Sequence, residues 1–501
     1  MVIESTTDLT SDDSTIDLRD PNDVCVIGGG TAGLVVAAEL VRRGISVTLL
    51  ETRATLDADE PHQPPAASVP GSPIDERVRR LSGHANAWVA NTAGEKADAH
   101  LGLRHGTVDA EDFVERPWVT DSGWPLDFTE LEPWLHRAQH HFAVGSDPAS
   151  SAVRSGARSE NFWADFDARW FGFRPSDAFR WRLVNELKAS PRCRIETDAT
   201  VVELIRDDKT GTISSVRCRT KAGTGSVKAE RFVLACGAIE NARLLLMSDR
   251  GNGGIGNQHG KVGRYLMEHP LFPVGHIDVT SAEADAMAFF DLADIGTRTA
   301  SGHLAASAAL CEELESVRVA LSIFPVPIRR HSLLRRRFRR FEVVMQCEQP
   351  PLIDSRVSLS YDTDAYGSPL PRVEWHIGDQ VRSSVLAVQQ RLAAHVEQSG
   401  LGAYVPRARS MHELGLPSSM AHSMGTTRMS QHPNDGVVTP DGRLHDVPNL
   451  FAAGPSVFPT SGYVNPTLTS IALAERLADH LATSTESPSW SISSHAGALP
   501  D

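Results

Sequence analysis

The chain has 501 residues, 41% of them hydrophobic and 22% charged, which allows a sizeable core and argues against wholesale disorder. Lys and Arg number 49 against 63 Asp and Glu, a net charge of -14, so nucleic acid is not the expected main partner, because phosphate binding needs a cationic surface. No apolar run approaches the ~18–20 residues of a membrane span, and no secretory signal opens the chain. Six scattered cysteines (Cys25, Cys193, Cys218, Cys236, Cys311, Cys347) form no CxxC pair, which excludes zinc ribbons and thioredoxin-like chemistry and fits a reducing cytoplasm.

Residues 1–22 are acidic and rich in Ser and Thr and read as a disordered, solvated tail. Order begins at Val24. Val24-Cys25-Val26-Ile27 is a short apolar β run, residues 34–41 carry helical spacing, and residues 45–50 form a second strand closed by Glu51. Between strand and helix lies Gly28-x-Gly30-Thr31-Ala32-Gly33. Gly28 permits the tight turn, Gly30 lets backbone approach a pyrophosphate, and Gly33 permits close helix–strand packing. Thr31 and Ala32 open the helix whose N–H groups face the phosphates, and Glu51 is placed to accept from ribose hydroxyls while repelling a 2′-phosphate. The unit predicts a bound dinucleotide other than NADP. A second match, Gly251-x-Gly253-x-x-Gly256, has no strand before it and reads as a loop, so paired Rossmann domains holding both FAD and NAD(P)H are not expected.

Residues 52–75 read as a loop, followed by a mixed, aromatic-rich region to about Phe179. Strands are predicted at 200–205, 214–219 and 231–237, with a helix from about Ile239. Residues 271–419 alternate like antiparallel strands. A final helix is predicted over Thr467–Leu481, and residues 485–501 read as frayed.

The last third of the chain holds a second constellation. Ala421-His422-Ser423-Met424-Gly425-Thr426-Thr427-Arg428-Met429 is followed by Gly462-Tyr463-Val464-Asn465-Pro466-Thr467-Leu468-Thr469. Asn465 is predicted to cap the final helix with Pro466 at its first position, so that Thr467 and its neighbours present N–H groups to an anion. His422 lies in a small-residue loop, where it is either a general base or a structural histidine.

These segments resemble the glucose–methanol–choline (GMC) family of FAD-dependent alcohol oxidoreductases, over nearly all of residues 23–484. Arg80-Leu81-Ser82-Gly83-His84-Ala85-Asn86-Ala87-Trp88 is similar to the family's flavin-contacting loop, and Ala199-Thr200-Val201 to the strand that contacts adenine. Residues 122–126, Ala235-Cys236-Gly237-Ala238 and residues 262–270 are also family-like. The resemblance implies a fold of α/β plus α+β class, a Rossmann-like FAD-binding domain (23–115, 196–270 and 420–484) joined to an antiparallel-sheet substrate domain (116–195 and 271–419). It implies FAD held by Gly28, Gly30, Thr31, Ala32, Gly33, Glu51, Ser82, Asn86, Ala87, Trp88, Val201, Ala235, Gly237, Gly454, Asn465, Pro466 and Thr467. His422 would take the hydroxyl proton of a sugar, glycoside or similar polyol while hydride leaves for flavin N5, with Asn465 as the second catalytic position. The reoxidant would be O₂ or another electron acceptor. Ala87 stands where some pyranose oxidases carry a flavin-linking His, so the FAD is expected to be non-covalent. Thr439 stands where many members have Asp, Ala453-Gly454-Pro455-Ser456 replaces a more usual Asp-containing turn, and Ser430 stands where many members have glycine.

Arg329, Arg330, Arg335, Arg336, Arg337, Arg339 and Arg340 form a cationic run in an acidic protein. It reads as a solvated surface or subunit contact, or as a dock for an anionic partner.

Overall fold

A computed structural model describes residues 24–52, 103–141, 163–174, 176–220, 223–280, 283–291, 293–295, 298–326 and 338–484, with the short pairs 15–16 and 67–68. Val24–Ile27 and Val47–Leu50 are buried at every position, as suits strands covered on both faces. Five parallel strands form one sheet, in the order Leu450–Ala452, Arg231–Leu234, Val24–Ile27, Val47–Leu50, Cys193–Glu196. Helix Thr31–Arg42 buries Leu34, Val35, Ala37, Ala38 and Leu40 and packs against the terminal helix Thr467–Thr483, which buries Leu468, Ile471, Ala472 and Leu477. The carboxyl ends of the first four strands in that order are laced together. Gly28 N donates to Leu50 O (2.9 Å), Ala235 N to Ile27 O (2.8 Å) and Ala453 N to Leu234 O (2.8 Å). Open α/β sheets bind their ligands at this edge.

A smaller antiparallel set, Thr200–Arg206, Ile213–Thr220 and Gly223–Val227, adjoins this sheet. Its edge takes up Thr15–Ile16, which pairs in parallel with Ser226 and Val227, so this part of the acidic tail is strand where disorder was expected. The helix expected from about Ile239 begins at Gly237, where a φ of +80° lets the chain turn out of the strand.

The second layer is a large antiparallel sheet. Pro270–Thr280, Phe338–Cys347, Val319–Pro325, Arg298–Ala306 and Phe166–Arg174 lie side by side, flanked by Gly402–Pro406 and Leu103–His105. Register assigns the two faces, since directly paired residues share a face. Leu304, Leu321, Val343 and Met345 fall on one face. That face is apolar and is covered by helix Asp379–Gln398 through Val381, Val385, Val388, Leu392 and Val396, spaced to form one helical stripe. The other face carries Arg169, Phe171, Ser301, His303, Ala320, Ser322 and Gln346. This alternation is what makes one sheet both a core wall and a polar surface.

Candidate active site

Two groups of residues converge between the sheets. The first lies at the carboxyl edge of the parallel sheet. Gly28 has φ +104°, and a Cβ there would sit 2.7 Å from Ala235 O; a Cβ on Gly33 would sit 2.0 Å from Gly28 O. Both positions therefore require glycine. Gly30 meets only Ala235 O, at 3.7 Å, which leaves its outer side open for close approach of a ligand. Gly29 N donates to a buried Glu51 carboxylate oxygen at 2.8 Å, so Glu51 braces the turn as well as ending its strand. Ala199 N donates to Glu51 O, which brings Thr200 and Val201 alongside, and the buried Thr200 hydroxyl has no partner among the described residues. Gly454, at φ +89°, leaves its strand against Ala32, so the C-terminal segment closes over the helix start. Thr31, Ala32, Ala235, Gly237 and Gly454 thus join Gly28, Gly30 and Gly33 at one edge. The glycine cradle, the two open helix ends and unpartnered hydroxyls at Thr200 and Thr467 fit a dinucleotide such as FAD. Ser82, Asn86, Ala87 and Trp88 lie outside the described residues.

The second group surrounds His422 and Asn465, both buried. Asn465 Nδ2 lies 3.4 Å from His422 Nε2. The terminal helix opens at Thr467, where the sequence predicts it, but its cap differs from the expected one. Pro466, rather than Asn465, is the cap residue, and its carbonyl accepts from Ser470 N at 2.8 Å. Pro466 has no N–H to leave unsatisfied and already holds helical angles, so it stands before Thr467 without loss of a bond. The Asn465 amide lies against the histidine.

The structure adds two residues that sequence reasoning assigned no role, Glu268 and His269. Both are fully buried at the head of strand Pro270–Thr280. Glu268 accepts from His422 N (2.8 Å), Ser423 Oγ (2.9 Å) and Ser419 Oγ (3.1 Å), and so clamps the loop in which Ala421 holds a φ of +56°. Burial pushes this carboxyl up to about 7, against the pull of those hydrogen bonds. His269 Nδ1 lies 3.0 Å from His422 Nδ1, and its Nε2 lies 3.2 and 3.0 Å from the carbonyls of Ser461 and Gly462. The sequence signal was the family-like segment 262–270, but only the fold brings its Glu268-His269 pair under His422.

Segment Gly462–Asn465 is fixed from below by a buried charge cluster. Tyr463 Oη donates to Asp109 Oδ2 (3.2 Å), which Arg318 also reaches (2.9 Å), while Arg116 grips Glu348 with two bonds of 2.7 and 2.6 Å. Gln346 Nε2 donates to Tyr463 O, and the His303 ring stands 6.3 Å from that of Tyr463. The polar face of the antiparallel sheet therefore abuts the strip that ends in Asn465.

Of the arginine run, Arg340 forms a two-pronged pair with Asp278 (2.7 and 2.8 Å) and Arg339 lies over the Phe341 ring. The other five lie outside the described residues. No described helix is long and apolar enough to cross a membrane.

Comparison with known proteins matches the same segments. A family model for GMC oxidoreductase matches residues 168–271 and a second matches residues 351–474, and an NAD(P)-binding Rossmann-like domain matches residues 26–66. Paromamine 6'-oxidase of Streptomyces fradiae is 26% identical, with 93% of each chain covered. 2-Methyl-1,2-propanediol dehydrogenase of Mycolicibacterium austroafricanum is also 26% identical, over 92% of this chain and 95% of that one. A formate oxidase crystal structure shares the fold at a TM-score of 0.58 and 16% identity, covering 93% of this chain and 99% of that one.

Proposed function

The chain belongs to the GMC oxidoreductase family and is an FAD-dependent enzyme that oxidises a CH–OH group, and from that premise we propose that its substrate is a sugar, glycoside or related polyol. The observation that carries the substrate class is the polar face of the antiparallel sheet. Arg169, Ser301, His303, Ser322 and Gln346 share that face, and the face abuts Tyr463 and Asn465. A polar wall beside the site suits a polyhydroxylated ligand better than an apolar alcohol, because buried polar groups are costly to leave facing apolar surface. The polar sheet is the substrate domain in this reading, and the parallel sheet holds FAD non-covalently.

FAD, when bound, supplies the two-electron acceptor for the carbinol carbon. His422 takes the hydroxyl proton on Nε2, the nitrogen that faces Asn465. The Asn465 amide orients the hydroxyl oxygen without competing as a base, and the Glu268 clamp holds the His422 loop at a fixed height above the strip. The product is a keto-sugar or an aldehyde.

The test is anaerobic. Monosaccharides, glycosides, amino sugars and simple alcohols are added to the yellow protein while flavin absorbance is followed. Bleaching by the polyhydroxylated compounds is expected, and admission of air then tells whether O₂ or a separate carrier reoxidises the flavin. Bleaching by simple alcohols alone would overturn the substrate class in favour of a non-sugar alcohol. Retention of bleaching in His422→Ala would overturn the role of His422.

A further inference from the structure

We propose that His269 is a positioning residue that sets the tautomer of His422, and so decides which ring nitrogen is free to act as base. The inference rests on the reading of His422 as the proton acceptor.

His269 Nε2 faces two backbone carbonyls, those of Ser461 and Gly462, at 3.2 and 3.0 Å. Carbonyl oxygens only accept, so Nε2 must carry the ring proton. A neutral imidazole has one N–H, so His269 Nδ1 is then a bare acceptor. That atom faces His422 Nδ1 at 3.0 Å, a distance that demands one donor and one acceptor. His422 must therefore carry its own proton on Nδ1, which leaves Nε2 with a free lone pair. Nε2 is the atom beside Asn465 Nδ2, itself a donor, so the contact at 3.4 Å agrees with a bare Nε2. The polarity of the chain runs in one direction, from backbone carbonyl through two rings to the reaction centre.

The geometry also acts after proton transfer. When His422 takes the substrate proton on Nε2 it becomes an imidazolium, and its Nδ1–H bond to His269 becomes charge-assisted. The two ring planes stand 88° apart with their Nδ1 atoms in contact, so rotation of either ring would break the bond. His269 itself neither touches the substrate nor exchanges a proton. Its anchor, Gly462, opens the segment that carries Asn465, so one residue ties the base to the strip that positions the hydroxyl.

The test compares His269→Phe, which keeps a ring but offers no acceptor, with His269→Asn, whose Oδ1 reaches the former Nδ1 position. In the Phe variant His422 loses the acceptor for Nδ1–H and shifts to the tautomer that blocks Nε2. A fall in kcat of about 10²–10⁴-fold is expected, with KM and FAD content little changed. The acid limb of kcat/KM is expected to move to lower pH, because the imidazolium has lost its partner, and the Asn variant is expected to recover part of both changes. A merely structural residue would lower activity without moving that limb. An unmoved limb with kcat within about threefold of wild type, or an Asn variant as impaired as Phe, would overturn the proposal. Imidazole ¹⁵N spectra of the wild-type protein, with His422 identified by its loss in His422→Asn, keep the test independent of variant folding. A proton on His422 Nδ1 supports the proposal and one on Nε2 overturns it. If His422→Ala retains turnover, the base reading itself fails; if it is inactive while His269→Phe is unaffected, only the present inference fails.

Discussion

Glu268→Gln is expected to stabilise the protein more at pH 8 than at pH 5. The carboxyl is fully buried, and that burial raises it from an ordinary 4.5 to about 7. A group raised in the folded state contributes stability that is fully present below its unfolded pKa and is lost as pH rises through its folded pKa. The window here runs from about 4.5 to about 7. Each pKa unit is worth about 1.4 kcal/mol, so wild type loses roughly 2–3 kcal/mol between pH 5 and pH 8 that the glutamine variant keeps. Glutamine can preserve the contacts: its carbonyl accepts from His422 N and Ser419 Oγ, and its amide donates to Ser423 Oγ. Glu268→Ala instead strands those donors, at about 1–3 kcal/mol for each one left unsatisfied. The assay is denaturant unfolding of wild type and variant at both pH values, with FAD in fixed excess. Other titrating groups are common to both proteins and cancel in the difference. An equal gap at the two pH values would show that Glu268 does not ionise across this window and would refute the reasoning.

Three further outcomes follow from the same contacts. Glu348→Leu leaves Arg116 buried with its two-pronged partner gone and is expected to cost about 3–5 kcal/mol in unfolding free energy, whereas Arg356→Leu at a surface pair with Glu374 should cost no more than about 1. Gly33→Ala drives a Cβ to 2.0 Å from Gly28 O and must displace the turn, so the purified variant is expected to be nearly colourless, with a flavin-to-protein absorbance ratio far below wild type. Acid precipitation of the wild-type protein is expected to leave the yellow colour in the supernatant, as Ala87 offers no nucleophile for a covalent link; colour in the pellet would contradict it.

The dinucleotide unit was legible because its signals are local. Strand, glycine turn, helix and Glu51 lie within one short stretch, and Gly28 and Gly33 are required by approaches that the chain itself creates. His422 and Asn465 were legible only as members of a motif, since nothing in the pattern states that a loop and a helix start meet at 3.4 Å. Glu268 and His269 carried no local signal of function. A Glu-His-Pro run before a strand is ordinary, and its meaning comes from a partner over 150 positions away in the chain. The polar face of the antiparallel sheet was hidden for a related reason. Alternation within Arg298–Ala306 or Val319–Pro325 shows that a strand has two faces, but only register across strands gathers Ser301, His303, Ser322 and Gln346 on one of them. The helix cap shows a limit of local rules, since Asn465 suits an N-cap by type yet Pro466 stands at that position and the Asn465 amide lies against His422.

The order of residues 268 and 269 explains how one short segment controls both the place and the protonation of the base. Glu268 takes the backbone N–H of His422 and fixes where the loop stands; His269 takes the ring and fixes which nitrogen is bare. The two acts need different acceptors, a carboxyl oxygen for the backbone N–H and a bare ring nitrogen for the imidazole, and adjacent residues that diverge from a strand end can supply both. The strand then enters the sheet at Pro270, where its pairing with Ser419 ties the segment to the loop it clamps. Slippage of that pairing by one residue would bring one of the two side chains to the other's place and carry the other away, so the register between Pro270 and Ser419 is itself a determinant of the catalytic geometry. A substitution that loosens this corner, such as Ser419→Gly, is therefore expected to lower kcat and to broaden the acid limb of its pH profile while leaving FAD binding at the far sheet edge intact.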